Sequence, residues 1–217
     1  MAAIITEKFR VHNARQFKED FGESASSTYV FIGRPYDWAD ENNPPAPANG
    51  VGEEIQAWED MLALKKVDPA DVSHGIKRYN WTSGTTYDEY SHDYSATKLT
   101  PATSKNNLYE ARFYVLTDEY HVYKCIRTGR DENGTVVASV NKPTGTDVSV
   151  LFEGTASDEG GTNGMPYLWK YMYTVSASDT IKFVTNDFIP VKTIGAQTEI
   201  FGTHTNGGLN SSADNDG

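Results

Sequence analysis

Short runs of β-branched and aromatic residues dominate the chain and predict mainly β structure. Each run is bounded by Gly, Asn, Asp or Pro, the residues that favour turns. The predicted strands are 3–9, 29–32, 111–116, 120–126, 135–140, 148–152, 167–175, 181–184 and 188–194. The last seven follow one another closely, which indicates a β-sandwich or a packed antiparallel sheet.

Two stretches have helical periodicity. Asn13, followed three residues later by Gln16, is a capping-box signature and predicts a helix near 13–21 that Gly22 ends. A second helix is predicted near 51–66, with acidic residues early and lysines late, as the helix dipole favours. Its hydrophobic residues share one helical face: Val51, Ile55, Trp58 and Leu62.

Two long loops separate the predicted elements. After Gly33, four prolines before residue 48 fix the backbone and favour an ordered display of Tyr36 and Trp38. Residues 73–103 carry five aromatic residues without a clean period, and loops of that length are usually functional or docked. We therefore predict a mainly β, α+β fold. It would have antiparallel sheets or a β-sandwich-like core, two or three flanking helices and long ordered loops.

The predicted strand 167–175 would have one almost wholly aromatic face. Side chains alternate along a strand, so this face would hold Tyr167, Trp169, Tyr171, Tyr173 and Val175. Each aromatic ring buries about 150 to 250 Å² when packed, and four exposed rings would favour aggregation. We expect core packing here, with a partner surface as the alternative.

The domain prediction is a single mainly β domain over 1–201, or two β parts joined by the helix near 51–66. Residues 202–217 are almost entirely Gly, Asn, Ser, Thr and Asp. Such a composition cannot bury enough apolar surface to order itself. We expect a flexible tail there, or a linker to a missing C-terminal part.

Charge and cysteine content narrow the function. The chain of 217 residues has a formal net charge of −11, which argues against a nucleic-acid backbone or an anionic membrane as its partner. The single cysteine, Cys125, excludes an intrachain disulfide and suits a reducing cytoplasm. The sequence shows neither the pattern of a secretion leader nor an apolar run of membrane-spanning length. We therefore expect neither secretion nor a membrane span.

The sequence signals for catalytic and metal-binding groups are weak. Asp88, Glu89, His92 and Asp93 cluster, but their spacing matches no EF-hand or zinc pattern, so a solvated acidic loop is expected. The Gly-rich run 154–164 lacks the Lys-Ser/Thr of a phosphate loop and predicts a flexible hairpin connection. No Ser or Cys has a nucleophile setting. We predict no enzyme activity, no cofactor and no metal site.

Aromatic and arginine residues on the long loops are the candidate interface anchors, because such residues carry most of the binding energy at protein interfaces. The candidates are Arg34, Tyr36, Trp38, Arg78 and Trp81. For each, an intramolecular lid over the sheet is the alternative. Trp38 and Trp81 also fit sugar stacking, which keeps a carbohydrate or host-receptor-binding tail module as an alternative function. A hydrolase using the acidic cluster is a third hypothesis.

The order of the segments resembles a known family. The segments are 5–10 with the helix after it, 29–38 with the Pro-rich loop, the helix around 58–61, and 76–81, 120–126 and 167–173. In order and spacing, over roughly 4–191, they resemble the baseplate wedge subunits of T4-type contractile-tailed bacteriophages, the gene product eight family.

This resemblance implies a function that the residues alone do not. It implies a structural, non-enzymatic assembly and connecting subunit of a contractile tail baseplate wedge. It further implies a homodimer that contacts other baseplate wedge proteins, located in the virion tail after synthesis in the bacterial host cytoplasm. The family's subunit is longer and has further β structure where this chain runs into 202–217.

Overall fold

The computed structural model describes residues 7–23, 27–161 and 163–191. The chain divides into two compact units, 1–74 and 75–217, which are treated separately below. The predicted single domain over 1–201 stays a prediction. The predicted tail 202–217 and the predicted strand residues 3–6 and 192–194 lie outside the described residues.

The first unit contains two helices and a two-stranded antiparallel ribbon within its described part. The elements are α1 (Glu7–Asp20), β1 (Tyr29–Gly33), α2 (Val51–Glu59) and β2 (Met61–Lys66), followed by the 3-10 turn Pro69–Asp71. In the ribbon, Phe31 lies opposite Leu64 and Ile32 lies opposite Ala63. The predicted strand at 29–32 is thus confirmed, and its partner is a strand that the sequence pattern did not predict.

Both predicted helices of this unit are present, but their bounds differ from the predicted ones. Helix α1 already begins at Glu7, so Asn13 lies inside it and the capping-box prediction was wrong, as was the strand over 7–9. The alternation of 3–9 was weak, and the charged residues of that stretch are good helix formers. Helix α2 ends at Glu59, where Asp60 N–H donates to Gln56 O at 2.9 Å. The predicted continuation to 66 was wrong because the chain there pairs with β1.

The second unit is built around a four-stranded antiparallel sheet. Its elements are β3 (Gly75–Lys77), β4 (Tyr114–Leu116), β5 (His121–Arg127), β6 (Leu151–Glu153), β7 (Leu168–Thr174), α3 (Ala177–Phe183) and β8 (Phe188–Pro190). The sheet order is β4-β5-β7-β6, and β3 pairs with β8. Within the described residues, three helices and antiparallel sheets confirm the predicted mainly β, α+β class.

Two predicted strands of the second unit are not strands. Residues 135–140 make only isolated bridges, Arg130 with Val136 and Thr85 with Ser139. Residues 181–183 belong to α3, whose first turn is capped by Ser176 Oγ accepting from Asp179 N–H at 3.1 Å. The cap outweighs the strand propensity of the isoleucine and phenylalanine that follow.

Strand β7 supplies side chains to two hydrophobic clusters. The first cluster contains Tyr87, Val115, Tyr123, Cys125, Tyr167 and Trp169. The second contains Leu116, Val122, Val175 and Ile189, with Tyr173 packed against it. Core packing of the aromatic strand is thus confirmed for Tyr167 and Trp169, which are fully buried.

A register shift in β7 places Tyr171 and Tyr173 beside different clusters. Tyr123 lies opposite Tyr171 and Val122 lies opposite Tyr173, so Met172 is an extra residue on β7. Neighbouring residues of β5 point to opposite faces of the sheet. Their partners Tyr171 and Tyr173 therefore do so too, and the predicted shared face of these two tyrosines was wrong because the bulge reverses the alternation.

Within the described residues, no helix has the length and apolarity needed to cross a membrane.

Candidate interaction surface

The turn after β1 places an arginine directly over a tryptophan. The Arg34 guanidinium carbon lies 3.1 Å from the centroid of the Trp38 ring, and Nη2 donates to Asp37 O at 3.0 Å. Arg34 has φ 69°, a left-handed conformation uncommon for a residue with a side chain. Its N–H donates to Asp60 O at 2.9 Å, which joins the turn to the end of α2. Backbone and cation–π contact together fix this turn.

The aromatic side chains of this turn remain accessible. Tyr36 is 71% exposed and Trp38 is 39% exposed. The Trp38 N–H donates to Glu41 Oε1 at 2.5 Å, which orders the chain beyond the ring. We call residues 34–38 the aromatic arm. It presents a cation and two rings without a large cost in conformational entropy.

The adjoining ribbon is apolar and exposed on both faces. Every residue of β1 is exposed, and so is β2 from Leu62 to Lys66. Val30 and Ile32 share one face and Tyr29 and Phe31 the other, because side chains alternate along a strand. Ile32 alone is 65% exposed. Contiguous apolar surface of this kind is typical of interaction sites.

Helix α2 lies over the second face of the ribbon and leaves an open groove of about 570 Å³. Its lining residues are apolar apart from one carboxylate: Tyr29, Phe31, Glu54, Ala57, Trp58, Met61 and Leu64. Trp58 is 65% exposed although it lines the groove. We call the groove, the ribbon and the aromatic arm together the 29–64 surface.

The other two candidate anchors lie in the second unit and have partners there. Arg78 Nε donates to Asn80 Oδ1 and Nη1 to Thr185 O, each at 2.8 Å. Trp81 packs against the first hydrophobic cluster and its Nε1 donates to Ser139 Oγ at 3.2 Å. The structure therefore brings Arg34 and Trp38 together and gives Arg78 and Trp81 contacts within their own unit.

The acidic cluster is used for internal hydrogen bonds. Asp88 is fully buried and accepts from Ala102 N–H, Thr103 N–H, Thr103 Oγ1 and Arg112 N–H at 2.6 to 3.0 Å. The Lys98 ammonium, which donates to Asp93 Oδ1 at 2.6 Å, lowers the pKa of Asp93 to about 2. In the part of the chain that the structure describes, no three His, Cys, Asp or Glu side chains are grouped to hold a metal ion.

The Gly-rich run also contains an internal anchor. It connects β6 to β7, as a hairpin connection should, but Glu159 within it is fully buried. The Glu159 carboxylate accepts from Val140 N–H at 2.7 Å, Asn141 N–H at 2.9 Å and Tyr167 N–H at 3.0 Å. These bonds fix the connection that we expected to be flexible.

The only cysteine lies in the first hydrophobic cluster. Cys125 is fully buried, and its Sγ contacts Arg127 O at 3.3 Å. Burial raises the pKa of its thiol far above the ordinary value. A thiol in this state is a poor nucleophile.

Comparison with known proteins identifies the family. The family described as "Phage-Gp8: Bacteriophage T4, Gp8" matches residues 3–212. The chain belongs to this family. The baseplate wedge protein gp8 of Enterobacteria phage T4 is 24% identical over 211 residues, which cover 87% of this chain and 60% of that protein. The Gp8-family chain thus spans about 60% of the length of the curated relative that it matches. The resemblance inferred from segment order is confirmed.

The groove of this Gp8-family chain was not predicted from the sequence. Phe31 was predicted to lie in a strand, and Trp58 and Met61 in one long helix. A signal existed, because β1 is apolar at consecutive positions and therefore on both faces. A chain segment apolar on both faces needs covering on both sides, and the described part of the unit covers neither fully.

Proposed function

We propose that this chain is a structural component of a contractile phage tail baseplate wedge and acts there as a non-enzymatic connecting subunit. Membership of the Gp8 family and the similarity to a protein named as a baseplate wedge protein support the location in the virion tail. The observation that carries the connecting role is the exposed apolar 29–64 surface.

The energetics of the ribbon favour a covering partner. A two-stranded ribbon is marginally stable in water without further packing. Covering a large apolar side chain contributes about 1.5 to 3 kcal/mol, and stable interfaces bury about 1,200 to 2,000 Å² in total. The exposed apolar side chains on β1, β2 and α2 suit an interface of that class. We propose other baseplate wedge proteins as its partners, with a second copy of the chain forming a homodimer.

The aromatic arm supplies the proposed anchors of this interface. Arg34, Tyr36 and Trp38 combine planar rings with a cation, the chemistry enriched at interface hot spots. Arg78 and Trp81 were proposed with them. Their hydrogen bonds to Thr185 and Ser139 favour the alternative that they stabilise their own unit. The partner-contact proposal therefore rests on the three residues of the arm.

Two features support the non-enzymatic part of the proposal. The carboxylates of Asp88 and Glu159 are saturated with internal donors. Cys125 is buried with a raised thiol pKa. Groups that already hold together their own loops are poorly placed for acid–base or nucleophilic work. We further propose synthesis in the bacterial host cytoplasm before incorporation.

The carbohydrate or host-receptor alternative is not favoured. Sugar stacking needs an open aromatic face. The Arg34 guanidinium covers one face of Trp38, and Trp81 packs against the first hydrophobic cluster.

The test is incorporation into tails. Cells producing tagged chain are infected with the phage, tails are purified, and the chain is quantified in them, beside light scattering of the pure protein. We expect incorporation and a dimeric mass, with Tyr36→Ala and Trp38→Ala excluded from tails. Tyr109→Ala, which removes an 88% exposed ring in the other unit, is the control and should incorporate normally. A chain absent from tails would refute the proposal.

A further inference from the structure

Two lysines face each other across neighbouring strands of the four-stranded sheet. Lys124 on β5 lies directly opposite Lys170 on β7, and the same row continues to Tyr114 on β4 and Leu151 on β6. Side chains directly opposite across antiparallel strands lie in contact range, and like charges in such pairs repel. A chain with net charge −11 thus concentrates positive charge in the middle of one sheet face.

The charge of this pair is not neutralised within the described residues. The ion pairs found there join Lys65, Lys98, Arg127, Arg130 and Lys142 to carboxylates, and none involves Lys124 or Lys170. Lys124 Nζ instead lies 3.4 Å from the centroid of the Tyr90 ring. Burial, and then the charge of Lys170, lower the pKa of Lys124. A carboxylate placed near the two lysines would oppose both effects, because an opposite charge favours the charged form of each lysine.

The neighbouring row shows what a balanced arrangement on this face looks like. Arg127 lies opposite Leu168, which lies opposite Glu153. Arg127 Nη2 donates to Glu153 Oε1 at 2.5 Å across that leucine. In the row of Lys124, Lys170 takes the position of that leucine and Leu151 takes the position of the acid, so the row has two cations and no carboxylate. Beside it, Leu151 is 43% exposed on β6, a strand at the end of the sheet order.

We propose that this face, which we call the lysine face (Lys124, Leu151, Leu168 and Lys170), is a second interaction surface and binds an acidic, partly apolar segment of another protein. Carboxylates of that segment would contact Lys124 and Lys170, and its apolar side chains would cover Leu151 and Leu168. A carboxylate between the lysines converts a repulsive pair into two charge-assisted contacts. Two lysines on a strongly acidic chain suit a local acidic segment rather than a nucleic-acid backbone, which needs an extended basic patch.

The inference is independent of the 29–64 surface, which lies in the other unit and whose groove is apolar apart from Glu54. The groove suits an apolar partner, whereas the lysine face suits an acidic one. A connecting subunit with two such surfaces would favour a different neighbour at each.

The test uses a fluorescein-labelled twelve-residue peptide of alternating glutamate, leucine and serine, and a matched peptide with lysine for glutamate. Binding to the full chain is followed by fluorescence anisotropy at low and at physiological salt. We expect the glutamate peptide to bind, with an affinity that falls as salt rises, and the lysine peptide not to bind. Lys170→Glu should weaken binding by at least ~10-fold and Lys170→Gln by less.

Lys105→Glu is the matched control, because it makes the same charge change at an exposed position of the same unit. It should leave the affinity at physiological salt within ~2-fold, since Lys105 is not part of the lysine face and exposed charges are screened there. Equal binding of both peptides, or equal losses for Lys170→Glu and Lys105→Glu, would overturn the proposal. Displacement by heparin with no glutamate-peptide binding would also overturn it in favour of a polyanion.

Carbodiimide cross-linking of purified tails provides a second arm, because the reagent joins lysines to carboxylates in contact. We expect Lys170 linked to Asp or Glu of another chain. If the chain is present in tails while Lys170 reacts as freely with an acetylating reagent as in the isolated protein, the lysine face is refuted. If the chain is absent from tails, the baseplate proposal fails. The peptide result then still decides whether the lysine face binds an acidic segment.

Discussion

The Thr103 hydroxyl donates to the Asp88 carboxylate at 2.6 Å, although the two residues lie fifteen positions apart in the chain. The same carboxylate accepts the backbone N–H groups of Ala102, Thr103 and Arg112. One buried side chain therefore joins three points of a segment that has no helix or long strand. This contributes to the order of the loop, since three of its backbone donors are satisfied without regular secondary structure.

Replacing Asp88 with alanine should lower the free energy of unfolding by roughly 2 to 4 kcal/mol, because buried donors lose their acceptor. Asp88→Asn should cost less, since its amide oxygen still accepts. Urea unfolding measures both. Asp93→Ala, at an exposed ion pair, is the control and should leave the unfolding free energy nearly unchanged. Equal effects at the two positions would contradict the structural role of Asp88.

Alanine substitutions of Trp38 and Trp81 should have different effects on the melting temperature. Trp38→Ala should leave the melting temperature nearly unchanged and abolish incorporation into tails, because the ring lies at an exposed turn beneath the Arg34 guanidinium. Trp81→Ala should lower the melting temperature by several degrees, since it removes packing against the first cluster and the bond to Ser139. Thermal melts by circular dichroism measure the melting temperatures of both variants, and quantification in purified tails measures incorporation. A large fall for Trp38→Ala would place that ring in a core instead.

The Cys125 thiol should be inert in the folded protein. Its side chain is fully buried and burial raises its pKa. A disulfide reagent such as DTNB at pH 8 should therefore release almost no chromophore until guanidinium unfolds the protein, after which one thiol per chain should react. Rapid reaction under native conditions would show that the first cluster opens readily.

Alkaline pH should destabilise the second unit. Burial raises the pKa of Tyr173 to about 12, from 10.0, and raises those of Tyr87 and Tyr123 as well. Above pH 10 the unfolded chain loses these protons before the folded one does, so stability falls as pH rises from 10 towards 12. Urea unfolding between pH 8 and 11.5 measures the slope. Tyr173→Phe should make it shallower, and Tyr109→Phe should not.

The sequence predicted the class of fold better than the bounds of its elements. The 51–66 helix was wrong beyond Glu59. Met61–Lys66 suits a helix or a strand, and its pairing with β1, whose residues lie 28 to 37 positions earlier, decides between them. Helix α3 could have been found, since Ser176 followed by Asp179 is a cap signature directly before it.

The candidate interaction surface was also predictable only in part. Apolar and proline-rich patterns are local, so the display of Tyr36 and Trp38 could be inferred from them. The groove needs α2 to lie across β1 and β2, and the anchoring of Trp81 needs Ser139. Such long-range contacts leave no signal at any one position. The burial of the carboxylates Asp88 and Glu159 was not predicted, because their donors lie far along the chain or in a different loop.

The extra residue at Met172 has a consequence for how this chain tolerates insertions and deletions. Deleting Met172 would restore simple alternation and leave Tyr173 opposite Val122, on the side of the second cluster. The strand would lose only the Met172 side chain, and its other side chains would keep their faces. Loss of a regularly paired residue such as Trp169 would instead turn the side chains on one side of the deletion to the opposite face. Length should therefore vary more readily at Met172 than at the paired positions of β7.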